Sequence, residues 1–226
     1  MAKLSIIIPV LNEEKPLPLL LTELANWCRE DDQIIVVDGG SSDRSVPTAE
    51  DMGSIVISAK KGRARQMNRG ASLARGDILW FLHADSRIQK VRRDEFDLAL
   101  KAEADWGHFD VTISGKKKIY RVIESFMNFR SRLSGIATGD MGIFVAADFF
   151  RSIGGFPEIN LMEDIELCKR LKHGQSLVFS RRLLVSERRW KNGGVCKTVC
   201  LMWALRIAWF FGISDQALSR IYYPEK

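Results

Sequence analysis

Cysteine is scarce in this chain of 226 residues. Of its four cysteines only Cys196 and Cys200 lie close together, and their i, i+4 spacing sets them on one helix face rather than in a zinc knuckle. A disulfide framework is therefore excluded, and free thiols in a reducing cytosol are expected. No long apolar run opens the chain either. The apolar segment of "MAKLSIIIPVLNEE" is too short for a secretory h-region and acids follow where a cleavage site should stand, so the start reads as a first strand. Repeats, low-complexity tracts and linkers rich in Pro, Gly or Ser are missing as well, which leaves one domain over residues 1–226 as the expectation. The longest apolar stretch, "VCLMWALRIAWFFGI" from Val199 to Ile213, is broken by Arg206. As a helix it would reach about 20 Å against roughly 30 Å of hydrocarbon, so it should not cross a bilayer. It either docks on the core, the commoner arrangement, or lays Trp203, Trp209 and Phe210 in a membrane interface beside Lys197 and Arg206.

Two familiar phosphate-binding signatures are also absent. G-x-G-x-x-G does not follow the first strand and there is no Walker loop, so neither a dinucleotide fold of that type nor a P-loop is indicated. The acids of "PVLNEEKP" would repel a triphosphate, which weighs against a nucleotidyltransferase. The net charge of +6 favours an anionic partner. Nucleic acid is disfavoured, because the cations are not interleaved with exposed aromatics and no binding module is recognisable.

What is present is a rhythm. "LSIIIPV", "QIIVVDGG", "GSIVISA" and "GDILWFLHAD" are short apolar runs ending in polar or turn residues, with helical spacing in Leu17, Leu20, Leu21, Leu24 and Trp27 and again across 62–75. This predicts an α/β fold, a mostly parallel sheet built from right-handed crossovers, with an apolar C-terminal helix. In such sheets ligands bind beyond the carboxyl ends of the strands, where Pro9, Asp38 and Asp85 fall. A strand at 106–114, a helix over 118–132 and a short acidic helix at "LMEDIELCKRL" are expected in the less regular second half.

Several clusters along this frame have the composition of a site. Asp38, before Gly39 and Gly40, either caps its own turn or accepts from a nucleobase or ribose. In "KKGRARQMNRGASLARGD" a helix start dense in cations suits a diphosphate, with Arg63 and Asn68 foremost. His83 and Asp85, two apart at a strand end, would point to one side. Asp85 suits a hard divalent cation shared with substrate phosphates. His83 is the less natural ligand: it either joins Asp85 on the metal or, the commoner arrangement, stands beside the metal facing the phosphates. Glu163, Asp164 and Glu166 open an acidic helix, where the macrodipole favours their charge and partial desolvation would be needed to make a base. Arg188, Arg189 and Trp190 precede a Gly-Gly hinge and can bind phosphate and wall a sugar ring.

Taken in order, "SIIIPVLNEE", "VVDGGSSD", "GRARQMNRGA", "FLHADS", "GDMGIFV", "EDIELCKRL" and "RRW" resemble the family 2 glycosyltransferases and their GT-A fold. The likeness is narrowest to compact bacterial members with H-A-D in place of D-x-D. It implies a nucleotide-binding half over 1–105, an acceptor half over 106–195 and a C-terminal helix and tail over 196–226. It further implies a nucleoside-diphosphate sugar donor and Mn²⁺ or Mg²⁺. Pro9, Leu11 and Glu13 would surround the nucleotide and Asp38 its base, and Arg63, Asn68, Ala84, Asp85 and Arg189 would complete the donor site. Asp85 would hold the metal, with His83 next to it. Asp164 would be the general base of an inverting reaction, and Glu163, Asp140 and Trp190 would face an acceptor, lipid or small molecule. Ser186 stands where processive synthases carry Gln, which weighs against polymer synthesis. A non-catalytic sugar-nucleotide binder is the competing expectation. The implied location is the cytoplasm or the inner face of the membrane, with peripheral contact.

Overall fold

The structure, a computed structural model, describes residues 1–223. Its first half alternates strand and helix: β1 (Leu4–Val10), α1 (Leu17–Trp27), β2 (Gln33–Asp38), α2 (Ser45–Asp51), β3 (Ile55–Ser58), α3 (Arg63–Leu73), β4 (Ile78–Phe81) and α4 (Asp94–Lys101). The second half runs β5 (Trp106–Ile113), α5 (Lys118–Ser134), a 3-10 turn (Gly139–Met141), β6 (Phe144–Ala146), α6 (Ala147–Ser152), α7 (Glu163–Leu171), β7 (Ser176–Val185), α8 (Arg188–Gly193), α9 (Val195–Phe210) and α10 (Asp215–Tyr222). Seven strands form one sheet in the order β3-β2-β1-β4-β6-β5-β7, parallel except where β6 pairs with β4 and β5.

Alternation along the strands divides the core between the two faces of the sheet. Ile7, Ile35, Val37, Leu79 and Phe81 face one layer, which receives Ala64, Met67 and Ala71 of α3 and Leu167, Cys168 and Leu171 of α7. Ile6, Ile8, Val36, Ile78 and Trp80 face the other, filled by Leu17, Leu20, Leu21 and Leu24 of α1 and Phe96 of α4. Both faces are covered, which is why β1 reads as an unbroken apolar run. A Cβ on Gly107 would lie 2.1 Å from the Leu177 carbonyl oxygen, so β5 and β7 approach this closely only because residue 107 has no side chain.

Three elements depart from the expectations. The strand expected through "GDMGIFV" and its Gly-Gly turn is a short β6 followed by a helical turn, α6, before Gly154 and Gly155. The ten-residue β7 was not foreseen, because its partly exposed edge position gives "SLVFSRRLLV" no steady alternation. Three polar residues of α5, Glu124, Asn128 and Ser131, also face inward. The short β6 pairs β5 only at Trp106 and Gly107, which leaves the rest of that edge open. Asn128 accepts from the Val111 amide at 2.8 Å and donates to its carbonyl at 3.0 Å, and Glu124 accepts from the Ile113 amide at 3.0 Å. These side chains replace the missing strand and satisfy backbone groups that burial would otherwise penalise.

The apolar C-terminal segment docks through one side. Leu205 and Leu218 pack with Leu161, Met162 and Ile165 at the start of α7, and Val195, Val199 and Met202 lean on the main core. Among the described residues no helix is long and apolar enough to cross a membrane.

Candidate active site

The ends of β1, β2 and β4 meet on one side of the sheet, and loops tie them together. Both Asp38 oxygens are taken up by its own turn, accepting from the Gly40 amide at 2.9 Å and the Ser41 amide at 3.0 Å. The β1–α1 loop joins this turn through Asn12, whose carbonyl accepts from the Ser42 amide at 2.8 Å. Asp38 is thus buried and caps its turn, the plainer of its two expected roles. Gln66, which no sequence signal singled out, donates from α3 to the carbonyls of Val10 and Val37, each at 2.8 Å, and locks the helix to both strand ends.

His83 and Asp85 do not lie on the strand. Since β4 ends at Phe81, they belong to a turn closed by the Ser86 amide donating to the His83 carbonyl at 3.0 Å, so strand alternation does not orient them. The turn nevertheless delivers both to one cavity of about 140 Å³. Around it stand Arg63 of α3, Asp140 of the 3-10 turn, Glu163 and Asp164 of α7, Arg189 and Trp190 of α8, Arg206 of α9 and Tyr222 of α10. The polar side chains of six elements thus converge there, whereas Glu13, Asp38 and Asn68 do not line it.

The charges of this cavity are not independent. Burial is the main force raising the Glu163 carboxyl to about 7. The neighbouring Asp164 charge pushes the same way and Arg63 opposes. Burial therefore overrides the helix-start field that would favour the ionised form. Asp164 accepts from the Gly139 amide at 3.0 Å through one oxygen and from the Ile165 amide at 2.8 Å through the other, which fixes its orientation. For Arg63, burial works against the charge, but Tyr223, Glu163, Tyr222 and Asp164 outweigh it and raise its pKa above the ordinary guanidinium range. His83 is held well below the usual imidazole range by burial and by Arg63 and Arg189, so its ring is neutral. A Cβ on Gly139 would come within 2.9 Å of His83 Nε2, so the glycine makes room for the imidazole.

Arg188 links the β1–α1 loop to the turn after β4. Its guanidinium meets both Glu13 oxygens at 2.9 Å and stands 3.7 Å from Asp85 Oδ2. By contrast Arg63, Arg130, Arg189 and Arg206 make no salt bridge among the described residues, and Arg130 Nη2 is buried without a hydrogen-bond partner. Asp140 Oδ1 and Thr138 Oγ1 are likewise buried and unpartnered beside the cavity. Unpaired cations and orphaned polar atoms collected in one cleft are expensive unless a ligand satisfies them.

Some expected site residues turn out to be occupied elsewhere. Asn68 clamps the Phe156 backbone, donating to its carbonyl and accepting from its amide, both at 2.9 Å, so its amide has no free end for a donor. Trp190 is mostly core, showing one edge to the cavity. Pro9, Leu11 and Ala84 sit at the strand ends but do not line the cavity. Arg206 and Tyr222 line the cavity although no sequence signal marks them as site residues. In the sequence Arg206 stands out only as a break in an apolar run and as a cation for a membrane interface, and nothing local to a lone Tyr or Arg reveals that α9 and α10 fold back onto α7.

No cluster of three or more His, Cys, Asp or Glu side chains suited to a metal occurs among the described residues. Asp85 alone therefore fits a cation whose remaining oxygens come from a bound diphosphate, and does not fit one held by protein alone.

Residues 5–152 match the family described as Glycosyl transferase family 2. Among curated proteins, an undecaprenyl-phosphate 4-deoxy-4-formamido-L-arabinose transferase of Pseudomonas fluorescens is 32% identical over 162 residues, 63% of this chain and 46% of its own length. A PGL/p-HBAD biosynthesis glycosyltransferase of Mycobacterium tuberculosis is 37% identical over 91 residues, 37% of this chain and 36% of its own. The chain thus spans about half the length, or less, of the curated relatives it matches. Among solved structures, S. aureus TarS 1-349 in complex with UDP-GlcNAc superposes with a TM-score of 0.65 at 18% identity, covering 82% of this chain and 59% of that one. A mannosyltransferase from Pyrobaculum calidifontis in complex with GDP-Man and Mn²⁺ gives 0.63 at 18%, covering 92% and 61%. The fold is of the GT-A type.

Proposed function

Since the chain belongs to glycosyl transferase family 2, we propose that it moves a sugar from a nucleoside-diphosphate donor to a lipid acceptor with inversion at the anomeric carbon. The observation that carries this is the single cavity in which Glu163 and Asp164 face Arg63, Arg189 and Asp85. The curated relatives named for undecaprenyl phosphate support a lipid acceptor.

In this reading the nucleotide lies along the ends of β1 and β2, over Pro9, Leu11 and the Asp38 turn, with its diphosphate directed at Arg63 and Arg189. Asp164 removes a proton from the acceptor hydroxyl. The oxygen forms its bond to the anomeric carbon as the bond to the diphosphate breaks, and the electron pair leaves with the diphosphate, whose charge the two arginines stabilise. A divalent cation held by Asp85, when bound, would neutralise part of that charge. Neutral His83, beside Arg63 and Arg189, would donate its N–H to the diphosphate while a cation, when bound, would be held by Asp85. Glu163, near half-protonated at neutral pH, together with Asp140 orients the acceptor.

A second reading of the acceptor comes from Arg130 and Arg206, neither of which pairs with a carboxylate among the described residues. Two adjacent guanidinium groups suit a lipid whose attacking group is a phosphate oxygen, and such a dianion needs no base. One experiment separates these possibilities. The protein is incubated with a panel of nucleotide sugars, with and without Mn²⁺, with lipid alcohols or lipid phosphates, and nucleoside diphosphate release is followed. Loss of turnover in Asp164→Asn with donor affinity retained supports the base. Turnover kept in Asp164→Asn with a lipid phosphate, and lost in Arg206→Ala, supports the phosphate acceptor. Silence with every donor overturns transfer in favour of binding alone.

A further inference from the structure

We propose that the outer faces of α5 and α9 form one surface that docks on an anionic membrane. This stands apart from the acceptor's chemistry and needs no turnover. On α5, the apolar side chains Ile119, Val122, Phe126, Phe129 and Leu133 recur at alternating steps of three and four, and all five are exposed, Leu133 to 77%. Glu124 and Asn128 face inward together with Tyr120, Ile123 and Met127, which leaves these five apolar side chains on the solvent side, interspersed with Arg121, Ser125 and Arg132. On α9 the same spacing places Cys196, Cys200, Trp203, Ile207 and Phe210 on the exposed side, with Phe210 85% exposed. The two stripes meet where the Phe126 and Trp203 rings lie 6.0 Å apart, and Phe211 and Ile213 extend the surface beyond α9. A contiguous apolar face of this kind marks an interaction site rather than ordinary surface.

Charge selects the occupant. Around these stripes stand Lys116, Lys117, Lys118 and Lys197, none paired with a carboxylate among the described residues, together with Arg121 and Arg132. Neither helix carries an exposed acid. A second copy of this chain would bring a rim of the same sign and be repelled, whereas anionic lipid headgroups complement it. Aromatic and aliphatic side chains inside a lysine border match a helix pair lying in the plane of an interface. Met127 of α5 and Met202 and Leu205 of α9 line the cavity, so the docking face and the site share walls.

The test is co-sedimentation of the full chain with vesicles of phosphatidylcholine alone or mixed equally with phosphatidylglycerol, without donor or metal. Binding is expected to the mixed vesicles, weaker to neutral ones, and reduced at high salt. Phe129→Glu combined with Leu133→Glu should cut binding by at least about tenfold while leaving the thermal melt unchanged. Leu98→Glu, an exposed apolar position on α4, should bind as the unmodified chain does. No binding to mixed vesicles, or equal loss in the Leu98 variant, overturns the proposal. A dimer by light scattering that Phe129→Glu converts to monomer would assign the surface to a second copy and overturn it too.

Discussion

Glu163 carries a measurable cost that the site imposes on the fold. Its carboxyl is raised from 4.5 to about 7, mainly by burial. The folded state thus binds a proton more tightly than the unfolded chain, and stability falls as pH rises from the first value through the second. Above that window the native protein holds a buried negative charge, and the shift corresponds to roughly 3 kcal/mol. Glu163→Gln keeps shape and hydrogen-bonding capacity but cannot ionise. It should leave stability near that of the unmodified protein around pH 5 and raise it by up to roughly 3 kcal/mol around pH 8, a gain of about 6–12 °C in melting temperature. Paired thermal melts at the two pH values measure this. Because the Asp164 charge is part of the cause, the gain should shrink in an Asp164→Asn background. An equal gain at both pH values would show that packing rather than charge is responsible, and no gain near pH 8 would refute the burial argument outright.

Other consequences follow from single contacts. Arg188→Ala removes the cation beside Asp85, so the Mn²⁺ concentration for half-maximal effect on donor binding should fall by roughly threefold to tenfold, the modest range of a half-exposed ion pair. An unchanged titration would mean that Asp85 is not the metal's carboxylate. Gly107→Ala forces a methyl against the Leu177 carbonyl and should destabilise by more than about 3 kcal/mol in denaturant melts. Asp97 is held down to about 2 chiefly by its hydrogen bonds from Arg29, so it adds stability at neutral pH that is lost as pH falls from 3.8 toward that value. Arg29→Ala should therefore move the acid-unfolding midpoint upward, as followed by circular dichroism.

The parallel half of the sheet was legible because it is local: β1, β2, β3 and β4 are buried on both faces and each ends in a turn its own residues specify. The polar end of β2 was legible for the same reason, since Asp38 closes that strand as its pattern indicates. What stayed hidden is non-local. The inward polar face of α5 makes sense only once β6 proves too short to cover β5, and no periodicity records the length of a neighbouring strand. Arg206 looked like a flaw in an apolar run until α9 folded back along the cavity. The apolar run that points to a strand through His83 and Asp85 gives one that ends at Phe81, two residues before the first and four before the second, a boundary that sequence pattern resolves poorly.

The bridge from Arg188 to Glu13 spans 175 residues of sequence, and the cavity takes His83 and Asp85 from the first half of the chain but Arg189, Arg206 and Tyr222 from its end. Contacts so far apart are among the last a chain can close, since the entropy of the intervening loop must be spent first. During synthesis the β1–β4 sheet can assemble while its ligand-facing edge still lacks a wall. The pocket comes into being only after the final helices leave the ribosome, so a chain cut short before α8 would retain the parallel strands and lose the cleft altogether.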